Sequence, residues 1–203
     1  IYPPKWYLGQ TRGLKRHEDV IDALALVCKS REDVTGVLVG SQWGGGDRYQ
    51  KSLMQRAAHV GQGRILMPGH LASEEVSTAW HDFDLAVHVP SSENCGGVVE
   101  PLQAGVPVIA ARVGGQPEVV LEGVTGQLVS PGQVNELAEA IANALKQIDV
   151  MRQSAERGAA LVTTMFDAAR TAQEVADVYA HVLTGASRPL AFDSRAFLAS
   201  KVS

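Results

Sequence analysis

The chain has 203 residues, 45% apolar and 20% charged, ordinary for a soluble globular protein and long enough to bury about 70% of its unfolded surface in one core. Its 22 acidic and 18 basic residues leave a net charge of −4, which excludes the basic surface that a nucleic-acid-coating protein needs. Two cysteines, Cys28 and Cys95, are too few for a disulfide scaffold and match no zinc spacing, so they read as reduced thiols of a cytoplasmic protein. No apolar run is long enough to span a bilayer, and no secretory signal opens the chain. It starts on Ile1 rather than Met, so a piece of a longer protein is expected.

In chain order, short apolar runs alternate with amphipathic stretches. Trp6, Tyr7 and Leu8 form a first strand, and residues 35–40, 64–67, 85–89, 107–110 and 127–129 follow as buried strands. They lack strict alternation, as expected when helices cover both sheet faces. Helical spacing fills the gaps. It links Val20, Leu24 and Val27, then Leu53, Ala57 and Val60 behind Asp47 as N-cap. It returns at Leu137, Ile141 and Leu145 after the break at Pro131 and Gly132, and at Val175, Val178 and Val182. This order predicts an α/β fold with a doubly wound, parallel, Rossmann-like sheet. One domain is expected over residues 1–183, with 184–203 as a tail rich in Gly, Ser, Arg and Pro that is disordered or docked elsewhere.

Ligands of such sheets bind outside the C-terminal ends of the strands, so residues that follow strands are the candidates. After residues 85–89, Pro90 ends the strand. Glu93, Asn94, Cys95, Gly96, Gly97, Val98 and Glu100 then run through a glycine turn into a helix. A helix start presents N–H groups and partial positive charge, and bare glycine backbone admits an anion or a sugar hydroxyl closely. Glu100 lies one turn inside, where its side chain leans back to the N-terminus. Donors for phosphate and carboxylates for hydroxyls suit a sugar diphosphonucleoside. On this segment alone, Glu100 serves equally to complement the helix dipole, and Glu93 as a solvated loop acid.

The segments that follow shift that balance toward a ligand site. Glu100, Pro101, Ala104, Gly105 and Pro107 are succeeded by Gly114, Gly115, Pro117 and Glu118, and then by Glu122, Gly123 and Gly126. From about Gly9 to Leu183 the chain resembles the C-terminal, donor-binding domain of family-4 retaining glycosyltransferases of GT-B architecture, most specifically over residues 90–129. The resemblance implies a site residue by residue. Glu93 matches the carboxylate that contacts donor-sugar hydroxyls, and Glu100 matches the one that binds the ribose. The backbone of Asn94, Cys95, Gly96, Gly97 and Val98 holds sugar and distal phosphate. Lys15 matches a diphosphate-binding lysine. Gly69, His70 and Leu71 match the loop that holds the base.

Two departures from the family pattern stand out. Six residues separate Glu93 from Glu100 where the family has seven, so a strict count back from Glu100 lands on Ser92. Gln10 stands where the family has a phosphate-binding arginine, and Arg12 is the candidate substitute. Gly114 and Gly115 shape the loop beside the donor, and Glu118 caps a helix. The tail is expected to pack on the absent N-terminal domain unless it is disordered.

The implied activity is retaining sugar transfer from a UDP-, GDP- or ADP-sugar to a sugar or glycoconjugate acceptor bound by that missing N-terminal domain. The fragment by itself is expected to bind the donor without transferring sugar. No cofactor and no metal is expected. His81, Asp82, Asp84 and His88 show no metal-ligand spacing, and Gly44, Gly45 and Gly46 fit neither dinucleotide nor P-loop motifs. The alternatives are a nucleotide-sugar epimerase of the same architecture and a non-catalytic nucleotide-binding module. A phosphorylase would need a pyridoxal-lysine site, and the chain shows no signature for one.

Overall fold

The computed structural model describes residues 14–40 and 48–201. Helix α1 (His17–Ser30) carries Glu18 and Asp19 in its first turn and Lys29 in its last, each opposite in sign to the helix dipole there. The elements then run β1 (Gly36–Val39), α2 (Arg48–Val60), β2 (Ile65–Gly69), α3 (Ser73–Ala79), a 3₁₀ turn (Trp80–Asp82), β3 (Ala86–His88), α4 (Gly96–Gln103) and β4 (Val108–Ala111). After them come α5 (Gln116–Val119), β5 (Gln127–Val129), α6 (Val134–Lys146), α7 (Ile148–Met165), α8 (Ala168–Thr184) and α9 (Ser194–Ala199). All described pairings are parallel: β1 with β2, and β3–β4–β5 with β4 in the middle.

The predicted double winding is visible in the parity of β4. All four of its residues are fully buried. Ile109 and Ala111 join the core that contains Ile21 and Leu24 of α1 and Leu137 and Ile141 of α6. Val108 and Ala110 join the other core, with Val98 and Leu102 of α4 and Val162 of α7. Successive side chains of a strand point to opposite faces, so helices cover both. The predicted strands and the helices at α1, α2 and α6 occur with shifts of one or two residues. The strand placed at 6–8, the Asp47 cap and the glycines at 44–46 lie outside the described residues.

Three regions differ from the sequence reading. Helix α7 has no counterpart in it, because its inward face is built mostly from small residues, Ser154, Ala155 and Gly158. Helix α8 forms, but the Val175, Val178 and Val182 stripe is not core. These residues are 47%, 47% and 71% exposed, and the helix has no buried residue. Within the tail, α9 docks on the domain itself. Leu198 packs with Leu121 and Leu161, Ser194 Oγ donates to the Glu118 carbonyl at 2.9 Å, and Arg170 lies over Phe192 at 4.5 Å.

Gly158 sets the distance between α7 and α4. A Cβ there would come within 2.6 Å of Leu102 Cδ2, a fully buried side chain. Gly158→Val is expected to lower the unfolding free energy by about 1–3 kcal/mol through overpacking. A urea titration checks this; unchanged stability would show that the helices separate freely.

Candidate functional site

The site forms where two loops meet. Residues 14–16 lead into α1, and residues 89–95 lead from β3 into α4. Ser91 N–H donates to the Leu14 carbonyl at 2.7 Å, and Arg16 Nη1 donates to Ser91 Oγ at 3.1 Å. Arg16 has a left-handed backbone (φ 52°) and its guanidinium also holds Asp19. These ties bring Lys15 over the second loop, where its ammonium pairs with Glu93 Oε2. The two side chains are only 16% and 17% exposed. Glu93 Oε1 accepts from the Asn94 N–H at 3.1 Å, which fixes the carboxylate from its other oxygen.

Helix α4 begins at Gly96 behind Cys95, whose side chain makes no capping bond. Asn94 Oδ1 accepts from the Gly96 N–H at 2.9 Å. Gly97 is bare for a local reason: a Cβ on it would stand 2.3 Å from His88 Nε2. The His88 ring, at the end of β3, therefore lies against the first turn of α4. Gly114 (φ 54°) closes the other side, where a Cβ would fall 1.7 Å from the Glu93 carbonyl oxygen. Lys15, Glu93, Gly97 and His88 are thus one cluster, with His88 Nε2 3.8 Å from Glu93 Oε2.

The remaining predicted residues fall in different settings. Glu100 is exposed, one turn into α4. Among the described residues its carboxylate has no hydrogen-bond or ion-pair partner. Ser92 is exposed, whereas Glu93 makes the contact with Lys15. Val98 is fully buried and faces the core. Gly69 is the last residue of β2 rather than part of the loop (φ 96°), and His70 and Leu71 start the connection to α3. Arg12 and Gln10 lie outside the described residues. Glu118 lies within α5 rather than capping it. Asp84 pairs with Arg152 and His88 faces Gly97, so the two diverge.

His88, weighed in the sequence only as a metal ligand, is the member of the cluster to which the sequence assigned no role. Its buried Nε2 has no hydrogen-bond partner among the described residues. Burial, then the Lys15 charge, pull its pKa down from 6.5 to about 4, against the opposing pull of Glu93; His17 adds to the lowering. The ring is neutral at pH 7. Burial also pushes the Cys95 thiol up, which leaves it a poor nucleophile and suits a backbone role.

The family model of the glycosyl transferases group 1 matches residues 6–160. The chain belongs to the glycosyl transferases group 1 family. Among curated relatives, the N-acetyl-alpha-D-glucosaminyl L-malate synthase of Bacillus anthracis is 28% identical over 179 residues, 87% of this chain and 45% of the relative. A D-inositol 3-phosphate glycosyltransferase of Nocardioides is 31% identical over 168 residues, 79% of this chain and 36% of the relative. The chain therefore spans less than half the length of these group 1 relatives. Among solved structures, Anabaena HepE in complex with UDP and glucose matches with a TM-score of 0.73 and 29% identity, over 82% of this chain and 45% of that one. The C-terminal domain of a group 1 protein from Francisella tularensis matches with a TM-score of 0.69 and 25% identity, over 76% of this chain and 81% of that one.

The depressed pKa of His88 has a sign that can be tested. The unfolded chain binds a proton there near pH 6.5 and the folded chain only near 4. Its neutral form thus stabilises the fold above pH 6.5, and that contribution is lost as pH falls toward 4, by up to about 3 kcal/mol. Urea titrations across this range are expected to show the stability difference between the unsubstituted chain and His88→Gln growing with pH. A constant difference would mean that His88 titrates normally.

Proposed function

We propose that this chain is the donor-binding half of a retaining glycosyltransferase and holds a UDP-, GDP- or ADP-sugar across the Lys15–Glu93 cluster. The observation that carries the reading is the contact between those two side chains beside the α4 start. The bond broken in transfer joins the anomeric carbon to the diphosphate. A cation for phosphate and a carboxylate for sugar hydroxyls must then stand within a few ångströms of each other. Glu100, exposed and without a partner for its carboxylate among the described residues, suits the ribose hydroxyls, and the rim at Gly69, His70 and Leu71 suits the base. The UDP complexes of Anabaena HepE support a nucleotide as ligand.

On this reading the chemistry is differential charge stabilisation. The departing diphosphate gains negative charge in the transition state, and Lys15 with the N–H groups at the start of α4 meets that charge in fixed geometry. Arg12, three residues before Lys15 in the sequence, is a second cation for the same anion. No metal or cofactor is needed for this step. The acceptor, a sugar or glycoconjugate, belongs to the part of the relatives' length that this chain does not span, so the 203-residue chain binds the donor and transfers no sugar. The free thiols Cys28 and Cys95 suit a reducing, cytoplasmic setting.

A thermal-shift screen against UDP, GDP, ADP and their sugars tests the reading. A ligand that binds only the folded state at 100 times its Kd adds about 2.7 kcal/mol of stability. One nucleotide series is expected to raise the midpoint. Lys15→Ala is expected to weaken that nucleoside diphosphate about 10- to 100-fold, the worth of a charge-assisted hydrogen bond. Sugar transfer by this chain alone, or undiminished binding in Lys15→Ala, would overturn the corresponding part of the proposal.

A further inference from the structure

The donor reading leaves one problem in the cluster. Glu93 Oε2 is held by Lys15, yet a bound diphosphate draws that ammonium toward itself and sets negative charge beside the carboxylate. Glu93 can keep its aim on the sugar only if another donor takes its free oxygen. A second cation would compete for the phosphate; a neutral N–H would not.

We propose that His88 is a positioning residue that takes over the Glu93 carboxylate through its Nε2–H when a diphosphate engages Lys15. The proposal deepens the donor-site reading and rests on it. His88 Nε2 stands 3.8 Å from Glu93 Oε2, so a side-chain shift of about 1 Å makes a hydrogen bond of ordinary length. The nitrogen is buried and has no partner among the described residues, a state that is costly unless something satisfies it. The ring has little freedom to turn elsewhere, because it is pressed on Gly97 at a point where even one added carbon would clash. Among the described residues, the charged or titratable groups that act on it are Lys15, Glu93 and His17. The nearby carboxylate favours the tautomer with the proton on Nε2, and burial keeps the ring neutral.

Two measurements test this. Ring 1H–15N spectra, with His88 assigned by its loss in His88→Gln, need no sugar donor. Lys15→Ala, and separately inorganic pyrophosphate added to the unsubstituted chain, should each move the Nε2 proton downfield as it bonds to Glu93. In Glu93→Ala neither effect should appear. An Nε2 signal that ignores both perturbations overturns the proposal, whatever the nucleotide screen returns. Calorimetry then compares UDP-, GDP- and ADP-glucose with the matching nucleoside diphosphate. For the series that binds, His88→Leu should weaken the nucleotide sugar about tenfold and the nucleoside diphosphate less than twofold, and His88→Gln should restore most of the loss. Equal losses for both ligands, without rescue by Gln, would mean that the ring merely fills space. If no nucleotide binds the unsubstituted chain, the donor reading fails, while the Lys15→Ala spectra still decide the exchange of Glu93 between its two partners.

Discussion

The site depends on a tie between two loops that belong to different parts of the sequence. The main-chain hydrogen bond from Ser91 to Leu14 fixes the height of one loop over the other. The Arg16 guanidinium, shared between Asp19 and Ser91, fixes its rotation. Arg16 adopts a left-handed backbone, which costs a non-glycine residue on the order of 1–2 kcal/mol, and its bonds to both partners offset that cost. The same guanidinium lies where a Cβ on Gly132 would be, 2.5 Å from Nη2, so the loop after β5 is drawn to the same point. Only with these segments clamped does Lys15 reach Glu93.

The electrostatics of the cluster are spare. Arg16 is committed to its own loop contacts, His88 is uncharged, and the Cys95 thiol stays protonated. Among the described residues, the charge available to an anion at this point is that of Lys15, which is paired with Glu93. Both members of the pair are mostly withdrawn from water, where Coulomb interactions are stronger than at an open surface and loss of either partner is felt more. A ligand that offers each of them a better partner therefore displaces a real interaction, and the gain in affinity is the difference between the two.

Much of this was legible in the residues alone, for identifiable reasons. The unbroken apolar run of β4 and the glycine turn after β3 carry strong local signals, and each lies where the pattern put it. Helix α7 was illegible because Ser154, Ala155 and Gly158 pack tightly without hydrophobic bulk, so no apolar period marks them. The α8 stripe misled in the opposite sense: period reports which face is apolar, not whether anything covers it. The position of the missing residue between the two glutamates was invisible to counting, which pointed to Ser92; the contact with Lys15 belongs to Glu93. His88 was hidden by strand alternation, which says that a residue faces inward but not that a glycine has been left bare for its ring.

Gly114 carries a consequence of a different kind. Its α-carbon rests against the carbonyl of Glu93 with no room for even a methyl group, so the gap there is set by main chain lying on main chain. Side-chain exchange cannot widen or narrow such a gap by small steps. Small adjustments of the cluster must come from residues around its rim, and a change at this seam would instead pull the whole wall away at once.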